Sequence, residues 1–190
     1  IVTPYLYLST SERARLVAWA KADPKRTLHI VSNSKATSDN APAQVIVDRD
    51  VGPDFKKLTD SLGRYRGTPR AGFFEFGRLD GDLFVEKSNV YYGKLHAKYW
   101  TVDELYSFVG THNFDPRSRY LNSEIGFLIR SDKVAKELDK TIQSTIDRSY
   151  LFDTKDWRDL ANHPILEGKR KVERLIESVF DICTSCKSPI

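Results

Sequence analysis

The order of short apolar segments constrains the fold of this chain more than any other feature. Residues 1–7 are rich in β-branched and aromatic side chains, and Ser9 and Glu12 then supply capping groups for a helix. Pro24 ends this helix, and residues 27–32 form a short apolar run typical of a buried strand. A strand, a helix and a second strand in this order predict an α/β fold, with a mixed β-sheet flanked by helices.

The second half of the chain is predicted to be rich in strands. A helix over residues 55–62 comes first. The strand-like segments are residues 72–76, 95–102, 106–109 and 124–129. From Ser131 apolar residues recur at every fourth position, which predicts an amphipathic helix with one face against the sheet. This apolar stripe consists of Val134, Leu138, Ile142 and Ile146.

Composition places the chain among ordinary globular proteins. It has 190 residues, of which 40% are hydrophobic and 29% are charged, so it can bury a core without metals or disulfides. No apolar run approaches the roughly 18 residues needed to cross a bilayer, and no transmembrane segment is predicted. The sequence starts at Ile1 and contains no Met, so we expect a further segment or domain before it in the full protein.

Charge and cysteine content limit the partners and cofactors. The net charge of +4 suits a partner that bears phosphate, either lipid or nucleic acid, without selecting between them. Cys183 and Cys186 supply half of a zinc site, and the histidines do not cluster with them. We therefore expect incidental thiols and a protein without a metal or other cofactor.

The second strand-like segment of this half carries a histidine and a lysine two residues apart, His96 and Lys98. On a strand such side chains project from the same face, so an imidazole and an ammonium would share one pocket. The loop after the next strand offers Thr111 and Asn113, which with Lys98 could bind the non-bridging oxygens of a phosphodiester. Glu124 begins the strand that follows, where its carboxylate could bond a ring nitrogen of His96.

These residue types meet the demands of phosphodiester cleavage without a metal. A neutral imidazole nitrogen can attack phosphorus when a carboxylate fixes its tautomer, and donors must stabilise charge on the equatorial oxygens. His96 and Glu124 would supply the first two groups, and Lys98 and Asn113 the donors. The leaving oxygen also needs an acid, and the sequence contains no second copy of the motif.

The motif residues resemble the HKD signature of the phospholipase D superfamily. The matching run is His96-x-Lys98-x4-Asp103-x6-Gly110-Thr111-x-Asn113, followed by Glu124. Residues 113–127 and 1–5 are further similar to the C-terminal half of bacterial cardiolipin synthase-like phospholipase D proteins. The resemblance implies a phospholipase D-like catalytic half over residues 1–150 and leaves residues 151–190 as a C-terminal helical extension.

The resemblance also implies a role for each residue of the signature. His96 would be either the nucleophile that forms a phosphohistidine or the general acid, and Glu124 would orient it. Lys98 and Asn113 would hold phosphate. Asp103 belongs to the catalytic signature, where it is expected to support the local structure of the motif rather than to touch substrate.

Thr111 and Arg117 are further candidates for substrate binding. Thr111 replaces the commoner Ser of this loop and keeps a hydroxyl, while Arg117 could reach a second phosphate or pair with Asp115. Members of the superfamily build one active site from two HKD motifs. The second motif would come either from a region before Ile1 or from a second copy of this chain.

Three functions are consistent with this resemblance. The leading hypothesis is a phospholipase D-type phosphatidyltransferase or phosphodiesterase, similar to cardiolipin synthase, that acts on phospholipid through a phosphohistidine intermediate. The first alternative is a homodimeric, metal-independent nuclease, which the basic residues within 169–174 support weakly. The second is a noncatalytic half that serves as a binding or scaffolding domain. By resemblance alone, we expect a bacterial protein associated with a membrane surface.

Overall fold

A computed structural model describes residues 1–77, 93–168, 170–171, 174–176 and 178. Cys183 and Cys186 lie outside these residues, so the expectation of incidental thiols remains a prediction. The basic segment at 169–174 is described only in part.

Helices and strands alternate along the described chain. The helices are Thr10–Lys21 (α1), Ala41–Ile46 (α2), Gly52–Leu62 (α3), Pro116–Tyr120 (α4), Asp132–Asp147 (α5) and Lys155–Ala161 (α6). The strands are Leu28–Asn33 (β1), Arg64–Tyr65 (β2), Thr68–Pro69 (β3), Ala71–Phe76 (β4), Tyr99–Val102 (β5), Tyr106–Gly110 (β6), Gly126–Arg130 (β7) and Ser149–Leu151 (β8). A π-helical turn, Val47–Val51, joins α2 to α3, and a 3-10 turn, Pro164–Leu166, follows α6.

The main sheet consists of two three-stranded parts that the opening residues join. In one part β1 runs parallel to β4 and β8 runs antiparallel to β4; in the other, β5, β6 and β7 are antiparallel. Val2 lies between the parts: its N–H donates to the Tyr99 carbonyl at 2.8 Å, and the Thr3 N–H donates to the Val31 carbonyl at 3.0 Å. The predicted α/β class with a mixed sheet is therefore confirmed.

The first local elements match the sequence predictions in part. Ser9 caps α1 in a reciprocal capping box with Glu12, as its position indicates. The predicted strand over residues 1–7 is wrong as a continuous strand, because only Val2 and Leu6 make isolated bridges. Pro4 between them has no backbone N–H to contribute to a ladder.

Helices cover both faces of the sheet. On one face Ile30 and Phe73 pack with Phe55 of α3, and each of these side chains is at most 1% exposed. On the other face Val31 packs in a cluster with Ile142 of α5. Neighbouring residues of β1 thus pack on opposite faces of the sheet, as the alternation of side chains along a strand requires.

The apolar stripe of α5 faces the sheet over most of its length. Ile142 is buried in the core cluster, and Leu138 and Ile146 pack against it, as predicted. Val134 is 37% exposed and departs from the prediction. A spacing of four advances about 40° around a helix at each step, so the first residue of the stripe has turned away from the buried face.

The predicted division at residue 150 falls inside β8. This strand pairs with β4, and Phe152 packs in the same cluster as Phe73. The Phe152 ring lies 4.6 Å from the ring of Trp157 on α6. The start of the C-terminal extension therefore packs on the fold that precedes it, and the division into two domains stays a prediction.

Candidate active site

His96 and Lys98 lie in a segment without regular structure that leads into β5. The sequence predicts a strand from residue 95, whereas the observed strand starts at Tyr99. The two side chains meet nonetheless: Lys98 Nζ lies 3.1 Å from Nδ1 and 3.2 Å from Nε2 of His96, and it donates to the His96 carbonyl at 2.8 Å. The imidazole and the ammonium therefore occupy one pocket, although not through strand geometry.

Asn33 at the end of β1 fixes the backbone just before His96. Its Oδ1 accepts from the Leu95 N–H at 3.0 Å, and its Nδ2 donates to the carbonyls of Leu95 at 3.0 Å and Pro4 at 3.1 Å. Because the buried side chain of Asn33 satisfies the backbone of Leu95, this segment is held without joining the sheet. Sequence analysis overlooked this role of Asn33. The available signal was a polar residue at the end of an apolar strand.

Thr111 and Glu124 are joined across the loop between β6 and β7. The Thr111 Oγ1 donates to Oε2 of Glu124 at 2.5 Å and accepts from the Ile125 N–H at 3.0 Å. Asn122 Nδ2 donates to the other carboxylate oxygen of Glu124 at 3.1 Å. Both oxygens of Glu124 thus have partners, and the predicted hydrogen bond in which Glu124 accepts from a ring nitrogen of His96 is not formed in this structure.

Asn113 follows this pair in the loop. Its backbone N–H donates to Ser118 Oγ at 3.1 Å, which anchors the loop on α4, and α4 is itself capped by Asp115. The Oδ1 of Asn113 is buried and has no hydrogen-bond partner among the described residues. This oxygen is therefore free to accept a hydrogen bond from a donor on a ligand.

A cleft of about 870 Å³ brings most of the predicted site residues together. Its lining consists of His96, Lys98, Gly110, Thr111, Asn113, Leu121, Asn122, Ser123, Glu124 and Ile125. Two predicted residues lie elsewhere. Asp103 is exposed in the turn between β5 and β6, with a φ of 55°, at the end of β5 away from Lys98. Arg117 lines a neighbouring groove and makes no ion pair with Asp115, whose carboxylate accepts from the Ser118 N–H instead.

The electrostatics of the cleft favour a neutral imidazole. Partial burial, and then the charges of Lys98 and Lys94, lower the pKa of His96, against a small opposing effect of Asp39. Burial and the charge of Lys94 also lower the pKa of Lys98. Hydrogen bonds, the first of them from Thr111, lower the pKa of the partly exposed Glu124, so this carboxylate is ionised at neutral pH.

A second charged cluster lies beside the imidazole. Lys94 pairs with Oδ2 of Asp39, and the Tyr5 hydroxyl donates to Oδ1 of Asp39 at 2.7 Å. The Tyr5 ring stands edge-on to the His96 ring with centroids 6.5 Å apart. Sequence analysis missed this cluster, because its members come from three separate parts of the chain and match no motif.

The described residues include neither a metal-binding cluster nor a membrane-spanning helix. Among them, no group of three or more His, Cys, Asp or Glu side chains is placed to hold a metal ion. No helix in this part of the chain is long and apolar enough to cross a bilayer. The two predicted donors for an anion, the ammonium of Lys98 and the amide of Asn113, both line the cleft.

Two solved structures share this fold. A phosphatidylserine synthase from Haemophilus influenzae matches with a TM-score of 0.61 and 18% identity over 97% of this chain and 39% of that one. The phospholipase D family member Nuc from Salmonella typhimurium matches with a TM-score of 0.50 and 14% identity over 80% of this chain and 79% of that one. The fold is therefore of the phospholipase D class.

The comparison of sequences narrows this class to a family. The chain belongs to the family of the cardiolipin synthase, PLD-like domain, whose model matches residues 1–146. It is 44% identical to cardiolipin synthase C of Escherichia coli over 64 residues, which are 33% of this chain and 14% of that protein. The match thus spans a small part of the relative's length. The predicted resemblance to the phospholipase D superfamily is confirmed.

Proposed function

We propose that this chain supplies one HKD motif to a phospholipase D-type active site that transfers or hydrolyses a phosphodiester. The cardiolipin synthase-like form of this activity, a phosphatidyltransferase acting on phospholipid, is the leading version. The observation that carries the proposal is the convergence of His96, Lys98, Asn113 and Glu124 on one cleft. The family match over residues 1–146 supports the same activity.

The proposed chemistry proceeds through a covalent phosphohistidine. A ring nitrogen of neutral His96 attacks phosphorus, an N–P bond forms, and the P–O bond to the leaving alcohol breaks. Lys98 and Asn113 would stabilise the negative charge that develops on the equatorial oxygens. An acceptor oxygen then attacks the same phosphorus and releases His96. Water as the acceptor gives hydrolysis, and an alcohol gives transfer.

The leaving oxygen must take up a proton, and a second HKD motif would supply the acid. In the converse arrangement His96 is the acid and the second motif is the nucleophile. The match to cardiolipin synthase C of Escherichia coli covers 14% of that protein. A further part of a longer protein is therefore one source of the second motif. Glu124, which Thr111 and Asn122 now hold, is proposed to orient the imidazole when the site is complete.

A second copy of this chain is the other source, and it corresponds to the homodimeric nuclease hypothesis. Apolar residues are exposed beside the cleft: Ile125 is 64%, Phe127 65% and Leu128 67% exposed. Phe127 and Leu128 lie on β7, which is an edge strand of the described sheet. An apolar edge next to a catalytic cleft is suited to cover by another protein surface. A noncatalytic half would also use such a surface, but it would not need the four converging residues.

The mechanism is tested by trapping the intermediate. The second motif is first supplied in whichever form proves active. The protein is then incubated with a phosphodiester labelled at phosphorus, and the reaction is quenched in alkali, in which phosphohistidine survives. His96→Ala is expected to abolish turnover, and His163→Ala serves as the control. Full turnover by His96→Ala would overturn the mechanism. Label that persists on His96 after acid treatment would exclude a phosphoramidate.

The source of the second motif is tested by the solution mass of the 190-residue chain, measured together with metal-free activity on a chromogenic phosphodiester. An active dimer supports the homodimeric site, and a comparison of lipid with nucleic acid substrates then follows. An inactive monomer supports a partner motif from elsewhere. A bacterial membrane surface is the proposed place of action if the substrate is phospholipid.

A further inference from the structure

The Tyr5 side chain lies beside His96 and takes no part in the chemistry proposed above. The two rings stand at 83° to each other with their centroids 6.5 Å apart. This is an edge-to-face arrangement, within the range of about 4.5–7 Å that is typical of aromatic pairs. Because Glu124 is held by Thr111 and Asn122, the orientation of the imidazole depends on its other neighbours.

The backbone on both sides of Tyr5 is fixed to the segments that carry the site. On one side the Pro4 carbonyl accepts from Nδ2 of Asn33 at 3.1 Å, and the same side chain holds the backbone just before the imidazole. On the other side the Tyr7 N–H donates to the Phe114 carbonyl at 2.6 Å. The segment around Tyr5 thus connects the two parts of the chain that supply the predicted site residues.

The hydroxyl of Tyr5 is held by an exposed ion pair. It donates to Oδ1 of Asp39 at 2.7 Å, and Lys94 pairs with Oδ2 of the same carboxylate. The Lys94 ammonium also lies 5.9 Å from the centre of the Tyr5 ring. Since Lys94 comes two residues before His96, these contacts form a closed loop from the hydroxyl back to the imidazole. The side chains of Lys94 and Asp39 are 33% and 51% exposed, so the free energy of folding gains little from their pairing.

We propose that Tyr5 is a positioning residue that fixes the orientation of the His96 ring, and that Asp39 and Lys94 hold Tyr5 in place. This inference rests on the proposed function, in which His96 either attacks phosphorus or protonates the leaving oxygen. Both steps require a ring nitrogen that is aligned with the reacting atom, and a misplacement of about 1 Å can lower a rate about a hundredfold. Tyr5 acts through the imidazole and does not itself need to touch the substrate.

Tyr5→Phe tests the proposal in the active complex without adding or removing a charge. The variant keeps the ring and loses the hydrogen bond to Asp39, so kcat should fall about tenfold while KM changes less than about twofold. The pH of the acid limb of the rate should stay where it is. Tyr7→Phe, in the same segment, is the matched control and should leave kcat and KM unchanged, since Tyr7 is 43% exposed.

Two substitutions of Asp39 separate positioning from charge. Asp39→Ala removes both the acceptor for the Tyr5 hydroxyl and the carboxylate charge, whereas Asp39→Asn removes the charge but keeps an acceptor oxygen. Loss of this charge lowers the pKa of His96, so the acid limb should move to lower pH in both variants. On the plateau above that limb, Asp39→Ala should lose about tenfold in kcat and Asp39→Asn should stay within about threefold of the unaltered protein. Tyr5→Phe should then cause no further loss when added to Asp39→Ala.

NMR of the 190-residue chain gives a readout that does not need activity. Tyr5→Phe should weaken the nuclear Overhauser effect between the ring at position 5 and the His96 ring, and Tyr7→Phe should not. The same contact at full strength in Tyr5→Phe would overturn the role of the hydroxyl in holding the ring.

The remaining outcomes separate this inference from the proposed function. An unchanged kcat in Tyr5→Phe overturns the inference, even if the free energy of unfolding falls, because the role of Tyr5 is then only structural. Equal losses in Asp39→Asn and Asp39→Ala also overturn it, because the charge alone then acts. If no form of the complex is active, the proposed function fails, and the NMR contact still decides whether Tyr5 orients His96.

Discussion

The carboxamide of Asn33 hydrogen-bonds both backbone groups of Leu95, the residue that precedes His96. One buried side chain thus ties the end of β1 to the segment that carries the imidazole, 62 positions further along the chain. Asn33 acts on His96 through the backbone of Leu95 rather than through contact with the ring. This makes it a positioning residue of the site.

Asn33→Ala should destabilise the protein and displace His96. The substitution leaves the N–H and C=O of Leu95 buried without partners, at a cost of about 1–3 kcal/mol for each group. Urea unfolding measures this loss, and the NMR titration of the His96 ring should change as well. The exposed Asn162→Ala should stay within about 0.5 kcal/mol of the unaltered chain. An unchanged His96 titration in a destabilised Asn33→Ala would assign Asn33 a purely structural role.

Lys94→Met should raise the pKa of His96. Burial and the charge of Lys98 also lower this pKa, so the rise should recover part of the shift. Removal of Lys94 also leaves the carboxylate of Asp39 unneutralised, which acts in the same direction. The His96 pKa is measured by NMR titration, and in an active complex the acid limb of the rate should move to higher pH, because attack requires the neutral ring. Lys21→Met, on the exposed part of α1, is the control. A fall in the His96 pKa would contradict the placement of Lys94.

Glu75 on β4 should make stability depend on pH. Its side chain is 1% exposed and accepts hydrogen bonds from Trp157 Nε1 at 2.6 Å and Gln44 Nε2 at 3.1 Å. Burial, and then the charge of Asp48, raise its pKa well above the usual value of 4.5. At pH values between 4.5 and the folded pKa, Glu75 therefore holds a proton in the folded protein that it has lost in the unfolded chain. The contribution of Glu75 to the free energy of unfolding is fully present below about pH 4.5. It falls as pH rises towards the folded pKa, by up to about 1.4 kcal/mol per pH unit.

Glu75→Gln should remove this contribution. The free energy of unfolding in urea, compared between the variant and the unaltered chain at pH values from 4.5 to 8, should diverge in favour of the variant as pH rises. Glu137→Gln on the exposed side of α5 is the matched control and should run parallel to the unaltered chain. A constant difference between Glu75→Gln and the unaltered chain across this range would show that Glu75 is ionised in the folded state.

The core of the site could be predicted from sequence because its residues follow a fixed spacing along adjoining segments. His96 and Lys98 are two residues apart, and the loop of Asn113 follows a tight antiparallel pair, so local connectivity brings them together. The strand predicted from residue 95 was wrong for a non-local reason: Asn33 occupies backbone groups of Leu95 that a neighbouring strand would need. Alternating apolar residues carry no sign of such a partner.

The surroundings of the site could not be predicted for the same reason. The contact between Lys94 and Asp39 joins residues 55 positions apart, and nothing in either local sequence selects the other. Similarly, the contact of Thr111 with substrate stays a prediction, and the sequence carried no sign of the hydrogen bonds that its hydroxyl makes with Glu124 and with the Ile125 N–H. Side-chain hydrogen bonds of this kind depend on tertiary packing, which periodicity does not encode.

Val2 links the two parts of the sheet, and the protein depends on this link to keep two strand edges paired. Its hydrogen bonds with Tyr99, and those of its neighbours with His29 and Val31, cover the facing edges of β5 and β1 among the described residues. Loss of residues 1–3 would leave two unpaired strand edges, each able to accept a strand from another molecule. Displacement of this short segment would therefore expose the chain to domain swapping and aggregation, even with every catalytic side chain intact.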